Sequence, residues 1–333
     1  MAANSPMDMS DITGAPGVRH RFGPGDLPIS VRRKGNGPTV LLVGGTHGDE
    51  YEGQIVVAEM VRRLDGLDLH GTLICLPRHN PGACMAGRRT DPEDADQDIN
   101  RVYGTGSATG RAKVISDFVS GAILPHVDWV IDLHSGGVSH EFVVSGNIQA
   151  VIGSDEDLAM RPYLQAFGAP FSLVFDGSDH SMPHAGTLEH HAKGFGARAI
   201  SSELGGGGRV SAASITAARD GVMRLLGAIG LLEGSPPPPP PGPLLEMSGE
   251  RHTVTCGIAG AIEPVAQLGD AVALGQTVAR LHPDDLSAPV DLTAQCTGVF
   301  ACIAAKGRSD AYVEGSDVIG YVCETITEGW PTR

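Results

Sequence analysis

TVLLVGGTHGDEYEGQIVVAEMVRR, residues 39–63, contains the change of period that decides the fold. TVLLVGGT is a short apolar run set off by Gly35, Gly37 and Pro38, and unbroken apolar character over so few residues reads as a buried strand. From Glu52 to Arg63 the residues Ile55, Val56, Ala58, Met60 and Val61 follow a helix-compatible pattern, and Arg62 and Arg63 suit a helix C-terminus. A strand that runs straight into a helix opens an α/β unit.

The alternation continues on both sides of the histidine that ends IDLH. GTLICLP (71–77) reads as strand, RAKVISDFVSGAIL (111–124) as helix, and DWVIDLH, running up to His134, as strand. DEDLAMRPYLQAF then reads as helix, ARAISSEL as strand and SAASITAARDGVMRLLGAIGLL as a long helix. This order predicts an α/β fold, a mixed and mostly parallel sheet flanked by helices, with ligands gathering beyond the carboxyl ends of the strands.

Composition shifts at GSPPPPPPGP (234–243), where proline removes backbone donors and favours a stiff polyproline II spacer. The expected division is an α/β unit over 1–233, a linker over 234–243 and a smaller all-β unit over 244–333, whose short β-type runs are separated by Gly and Asp. GDAVALGQTVARL, TGVF and GSDVIGYV resemble a lipoyl/biotinyl-like barrel-sandwich. A carrier role would need a lysine on the exposed hairpin, where this chain has HPDD (282–285), and the lysine beyond the linker is Lys306. The β unit is therefore expected to be a structural or oligomerising domain that partly roofs the site, which leaves a homo-oligomer open.

A chain of 333 residues with 41% hydrophobic content can bury a core without disulfide or metal staples. Its net charge of −15 argues against nucleic acid or an anionic membrane as partner. The N-terminal MAANSPMDMSDITGAP lacks the basic start and apolar run of a secretory signal, and no apolar stretch approaches the ~20 residues of a membrane span. Cys75, Cys84, Cys256, Cys296, Cys302 and Cys323 form no CxxC pair, so buried or free thiols are expected and a cytoplasmic location follows.

The chemistry starts in GGTHGDEYEG, where His47 and Glu50 stand three residues apart; on a helical turn they would share a face. With His134 they make a two-histidine, one-carboxylate set suited to Zn²⁺ with a position left open for catalysis, although Co²⁺ or Mn²⁺ accept similar donors. HxxE alone is a weak motif, and a lone histidine at a strand end also serves as hydrogen-bonded structure. Asp132, two residues before His134, is either an outer partner of that imidazole or a buried structural acid.

GGTHGDEYEG, DINR (98–101), IDLH and SELGGGG occur in the order seen in the succinylglutamate desuccinylase/aspartoacylase family, within the zinc carboxypeptidase-like superfamily, and the chain resembles it over about residues 30–325. HGDEYEG and ELGGGG in particular are similar to the N-acetyl-diaminobutyrate deacetylases of ectoine degradation. The resemblance implies one zinc on His47, Glu50 and His134, Glu203 as the catalytic carboxylate, and Asn100 and Arg101 on the substrate's α-carboxylate. It also implies an arginine on the scissile carbonyl, for which Arg89 is preferred to Arg88.

The chemistry of these side chains fits those roles. A carboxylate outside the metal set can take a proton from water and return it to the leaving amine, and arginine grips a carboxylate through a bidentate fork. Each also has a plainer reading: Glu203 solvated at a turn, Asn100 capping a turn, Arg101 in a surface ion pair. DGSDHSMPHAG (176–186) and GTLEHHA (186–192) read as an active-site loop or a solvated one, and ELGGGG lacks the GK[ST] ending of a phosphate loop.

The expected activity is hydrolysis of a small N-acyl amino acid, with Nα-acetyl-L-2,4-diaminobutyrate as the substrate the resemblance implies. The alternatives are a desuccinylase or aspartoacylase-type reaction, which needs a further cationic contact at the acyl end, and a zinc-binding regulatory or scaffold protein without turnover.

Overall fold

The computed structural model describes residues 10–94, 97–178, 184–304, 312–313 and 318–331. The first ten strands are β1 (Gly17–Phe22), β2 (Pro28–Lys34), β3 (Thr39–Gly44), β4 (Gly71–Leu76), β5 (Trp129–His134), β6 (His140–Phe142), β7 (Ser145–Ala150), β8 (Phe171–Asp176), β9 (Arg198–Glu203) and β10 (Leu244–Met247). The helices that cover them are α1 (Tyr51–Arg63), α2 (Gly110–Phe118), α3 (Asp155–Phe167), α4 (Leu188–Lys193) and α5 (Ala212–Ala228).

The main sheet runs β1-β2-β4-β3-β5-β9-β7-β8-β10. β4, β3, β5 and β9 are mutually parallel, as are β7, β8 and β10, whereas β7 meets β9 antiparallel. The mixed, helix-flanked sheet expected from the alternation of strand and helix is present. Two apolar layers sandwich it: Val56, Val57, Met60, Phe167, Val222 and Leu225 lie on one face, and Ile29, Leu41, Ile74, Ile115, Val130 and Ala199 on the other. Strands buried on both sides need this continuous apolar character, which is why their sequences do not alternate.

The long C-terminal helix is shorter than its sequence pattern, because Gly230 takes φ +84° and turns the chain after Ala228. The 111–124 segment leaves α-geometry at Val119–Ile123, where the turn widens to a π-helix.

α1 touches the sheet backbone to backbone. A Cβ on Gly53 would lie 2.4 Å from the Leu133 carbonyl oxygen, and one on Gly44 would lie 2.4 Å from Gly53 itself. This seat fixes the start of α1, and Glu50 with it, against the end of β5. Gly53→Ala should therefore destabilise the protein: overpacking costs ~1–3 kcal/mol and outweighs the up to ~1 kcal/mol that alanine gains in helix propensity. Urea unfolding should show a lower midpoint at unchanged slope; an unshifted midpoint would refute the tight seat.

After the proline run, β10 pairs in parallel with β8 and antiparallel with β18 (Val318–Ile326), so the chain beyond 243 extends the same sheet. The other C-terminal strands are β11 (Thr253–Thr255), β12 (Gly260–Pro264), β13 (Ala271–Val272), β14 (Thr277–Pro283), β15 (Val290–Thr293), β16 (Gly298–Ala304) and β17 (Tyr312–Val313). β18, β16 and β13 continue the main sheet, and β15-β14-β12-β17 form a separate antiparallel one. Val254, Ile262, Val278, Leu281, Phe300 and Val322 fill the space between them. The hairpin at 282–285 carries no lysine, His282 instead meeting Glu263 at 2.8 Å; Lys306 lies outside the described residues. β6 pairs with β16, which ties the C-terminal strands to the segment that follows His134.

Candidate active site

β3, β5 and β9 end at the same edge of the sheet, and parallel register sets His134 directly beside Glu203. Beyond β3 the chain turns sharply at Gly45, φ +71°, where a Cβ would sit 2.7 Å from Cys84 Sγ. Thr46 and His47 then drop into the protein. His47 and Glu50 are brought together by this turn, closed by Glu50 N–H donating to the His47 carbonyl at 3.4 Å, and not by a helical turn. Glu50 is the extended residue that precedes α1, φ −98° and ψ 93°. The i,i+3 geometry expected of a helix is thus replaced by a loop-to-helix junction, because the chain must first bend off the strand.

His47, Glu50 and His134 are 3%, 2% and 7% exposed, and one donor atom from each lies within 4.8 Å of the others. Glu50 Oε1 is 2.6 Å from His47 Nδ1, and Oε2 is 2.8 Å from His134 Nδ1. The far nitrogens face carboxylates: His47 Nε2 meets Asp98 at 3.1 Å, and His134 Nε2 meets Asp132 at 3.1 Å. Each outer carboxylate accepts the Nε2 proton and so turns the Nδ1 lone pair inward, the arrangement by which proteins orient metal-binding histidines. Asp132 has the geometry of an outer partner.

The electrostatics point the same way. Burial would raise Glu50, but the two imidazoles overcome it and hold the carboxyl well below its usual range. Burial would lower both histidines, yet Glu50 beside His47, and Asp132 and Glu50 beside His134, raise them. A site that concentrates carboxylate charge on two inward nitrogens is one that attracts a cation, and a metal there would take the place of any proton that Glu50 draws onto the Nδ1 atoms. The donor set fits zinc.

Asp98, which the sequence reading passed over within DINR, organises the rim. Its Oδ1 accepts from Asn100 N–H at 2.8 Å as well as facing His47, while its Oδ2 accepts from Arg89 Nε and Nη2 at 3.1 and 2.8 Å. Arg89 Nη1 thereby comes within 3.7 Å of Glu50. Asn100 is buried, its Oδ1 accepting from Leu188 N–H at 2.8 Å and its Nδ2 lying 3.5 Å from His134 Nε2. Arg101 is held by its own donation to the Asn100 carbonyl at 2.7 Å. Behind these residues Asp132 accepts from Thr46 Oγ1, and Thr46 continues through His79 to Tyr103 by contacts of 3.0 and 2.6 Å. No sequence motif marked that buried polar chain.

Arg89, Asn100, Arg101 and Glu203 all line one cavity of about 360 Å³ with the histidine–glutamate set, a size that suits a small ligand. Burial and the neighbouring Glu50 charge push the Glu203 carboxyl up to about 8. A cation bound between the two acids would pull it down again. His184 and Thr187, from the loop read as either active-site or solvated, also face the cavity, as do Met247 and Tyr321 from beyond the proline run. His180 and its neighbours at 179–183 lie outside the described residues. The glycines of ELGGGG have positive φ throughout, and a Cβ on Gly206 would lie 2.2 Å from the His140 carbonyl oxygen. That loop packs on the backbone after β5 and forms no phosphate cradle.

Residues 36–229 match the succinylglutamate desuccinylase/aspartoacylase catalytic domain. The chain is 31% identical to the N-alpha-acetyl-L-2,4-diaminobutyric acid deacetylase of Halomonas elongata, across 97% of this chain and 96% of that one. Among solved structures it superposes on the product-bound ectoine utilization protein EutE (DoeB) from Ruegeria pomeroyi with a TM-score of 0.83 at 29% identity, covering 93% of this chain and 96% of that one. A succinylglutamate desuccinylase/aspartoacylase from Rhodobacter sphaeroides gives a TM-score of 0.85 at 26% identity, covering 97% and 99% of the two chains. With the family's catalytic domain spanning more than half of its length and a curated relative matched almost end to end, this chain belongs to the succinylglutamate desuccinylase/aspartoacylase family and is a hydrolase of N-acyl amino acids.

Proposed function

We propose that the enzyme removes the acetyl group from Nα-acetyl-L-2,4-diaminobutyrate, giving L-2,4-diaminobutyrate and acetate in ectoine catabolism, with one zinc held by His47, Glu50 and His134. The observation that carries the metal reading is the convergence of two carboxylate-backed Nδ1 atoms on Glu50. The substrate rests on the end-to-end likeness to the Halomonas elongata deacetylase.

Zinc in this donor set supplies a Lewis acid that acidifies water and polarises a carbonyl. The remaining work falls to the protein. Glu203, set beside His134 by strand register, takes a proton from the attacking water and delivers it to the departing amine nitrogen. Arg89, braced on Asp98, presents Nη1 to the carbonyl oxygen as negative charge develops there. Asn100 and Arg101 hold the α-carboxylate, so the amide is delivered in a fixed orientation. Met247 and Tyr321 help close the cavity, which supports a roofing role for the C-terminal strands.

A succinyl or aspartyl substrate is less well matched. It carries a second carboxylate, and among the described residues the arginines lining the cavity are Arg89 and Arg101, each already assigned, with no lysine beside them. The scaffold alternative is disfavoured by the complete set of groups around Glu203. A cytoplasmic setting fits the six cysteines, five of them buried. No helix among the described residues is long and apolar enough to cross a membrane.

Assay of a panel of N-acyl amino acids, with product analysis and metal content measured on the same samples, tests this reading. Dialysis against a chelator should abolish acetate release and stoichiometric zinc should restore it. Full activity in protein shown to be metal-free would exclude the zinc mechanism, and release of succinate or aspartate in preference to diaminobutyrate would exclude the substrate.

A further inference from the structure

The cavity contains an acid that the hydrolytic steps do not use. Glu189, at the start of α4, is 5% exposed and lines the cavity beside His134. Of the other acids lining it, Glu50 has both oxygens committed to the histidines, and Glu203 has the proton-transfer role. Glu189 Oε1 lies 3.9 Å from His134 Nε2, and among the described residues no donor reaches its Oε2. Gln149, which also lines the cavity, has an equally unpartnered Oε1, while its Nε2 donates to Thr187 Oγ1 at 3.4 Å. Buried acceptors left without donors cost free energy unless a ligand or water supplies them.

The position of Glu189 is set by the residues that hold the α-carboxylate. Leu188 N–H donates to Asn100 Oδ1 at 2.8 Å, and a Cβ on Gly186 would fall 2.3 Å from the Arg101 carbonyl oxygen. The segment carrying Glu189 is therefore packed directly on Asn100 and Arg101, on the amino-acid side of the scissile bond. Glu189 and Gln149 line the same cavity as Asn100 and Arg101, so both acceptors are open to the side chain of an α-amino acid anchored there. An ammonium group offers three donors and no acceptor, which matches a carboxylate oxygen and an amide oxygen; a carboxylate or hydrocarbon side chain does not.

A second metal on Asp132, His134 and Glu189 is the competing use of this acid, since their donor atoms also lie within 4.8 Å of one another. That use is opposed by the bonds present. The Asp132 carboxylate shares the single Thr46 hydroxyl hydrogen between oxygens 3.1 and 3.2 Å from Oγ1, and His134 Nε2 must carry a proton to meet Asp132.

We propose that Glu189, assisted by Gln149, is the specificity-determining acceptor for a positively charged terminal amine on the substrate's side chain, restricting the enzyme to short N-acyl diamino acids. This deepens the reading above and rests on its placement of the amino-acid half of the substrate.

The test compares the zinc-loaded wild type with Glu189→Gln and Glu189→Asp on two substrates of equal shape, Nα-acetyl-L-2,4-diaminobutyrate and Nα-acetyl-L-norvaline. Calorimetric binding of free L-2,4-diaminobutyrate and L-norvaline to the same proteins gives a readout independent of turnover. The wild type should prefer the cationic member of each pair on the order of 10²-fold, as expected for a buried charge pair. Glu189→Gln should bring both ratios to within about threefold of unity, and Glu189→Asp should restore part of the preference. A structural defect lowers both members together and leaves the ratios intact, so ratios unchanged in Glu189→Gln overturn the proposal, as does a wild type indifferent to the charge. If the wild type hydrolyses neither substrate yet binds diaminobutyrate through Glu189, the catalytic reading fails and this one stands.

Discussion

Glu203→Gln should lower kcat on the order of 10²–10⁴-fold while leaving bound zinc unchanged. The substitution preserves shape and removes only the capacity to accept and return a proton. Glu203 is suited to that exchange by its position: strand register sets it next to His134, and a bound cation offsets the burial and the Glu50 charge that otherwise raise its carboxyl. Among the described residues its Oε2 has no partner, which leaves it available to a water or a leaving amine. Because Glu203 is outside the converging donor set, metal content and the thermal shift on adding zinc should match the wild type. KM should change little if the carboxylate acts in the transition state rather than in binding. Steady-state kinetics on the acetylated diamino acid, with metal analysis of the same sample, decides the matter. Retention of more than about a tenth of kcat would remove Glu203 from the proton path.

How much of this was legible in the sequence depended on distance along the chain. The α/β alternation could be read because burial on both faces writes unbroken apolar runs into β3, β4 and β5, and Asp155–Phe167 carries both its Ser154 cap and its closing Gly168 in the sequence. β7, with SGNIQA, carried no such mark: Ser145 and Asn147 are polar yet buried, paired with each other at 2.7 Å, and the strand runs against β9. That the chain after the proline run would extend the same sheet through β10 was equally hidden, since the pairing with β8 joins residues some seventy positions apart. The site followed the same rule. His47, Glu50 and His134 could be singled out only in company with DINR and Glu203, since HxxE alone is a weak motif. Asp98, His79 and Glu189 act through contacts that only the fold creates. Asp98 at least stood inside a quoted motif, whereas Glu189 stood in a histidine-rich stretch with no ligand spacing to set it apart.

Glu50→Gln should show the opposite pattern from Glu203→Gln: loss of the metal first and of activity as a consequence. Glu50 is the only charged member of the converging set, and both its oxygens face imidazole nitrogens, at 2.6 and 2.8 Å. Neutralising it removes the charge that offsets desolvation of a dication in a pocket where all three donors are nearly inaccessible. Removing an outer partner of a ligand typically weakens metal affinity 10–100-fold, so loss of the charged inner donor should weaken it by at least about 10²-fold. Protein purified at limiting zinc should then contain a small fraction of an equivalent and release almost no acetate. Zinc stabilises the folded state by RT ln(1 + [Zn]/Kd), so the wild type should melt later as zinc is added, while Glu50→Gln should respond only at concentrations at least about 10²-fold higher. The metal-free variant should be less stable than metal-free wild type, because it loses the buried carboxylate that both imidazoles face. If Glu50→Gln bound zinc as tightly as the wild type, the donor set would have to be redrawn without it. If it bound zinc fully and still lost activity, Glu50 would belong with Glu203 among the groups that act on the substrate.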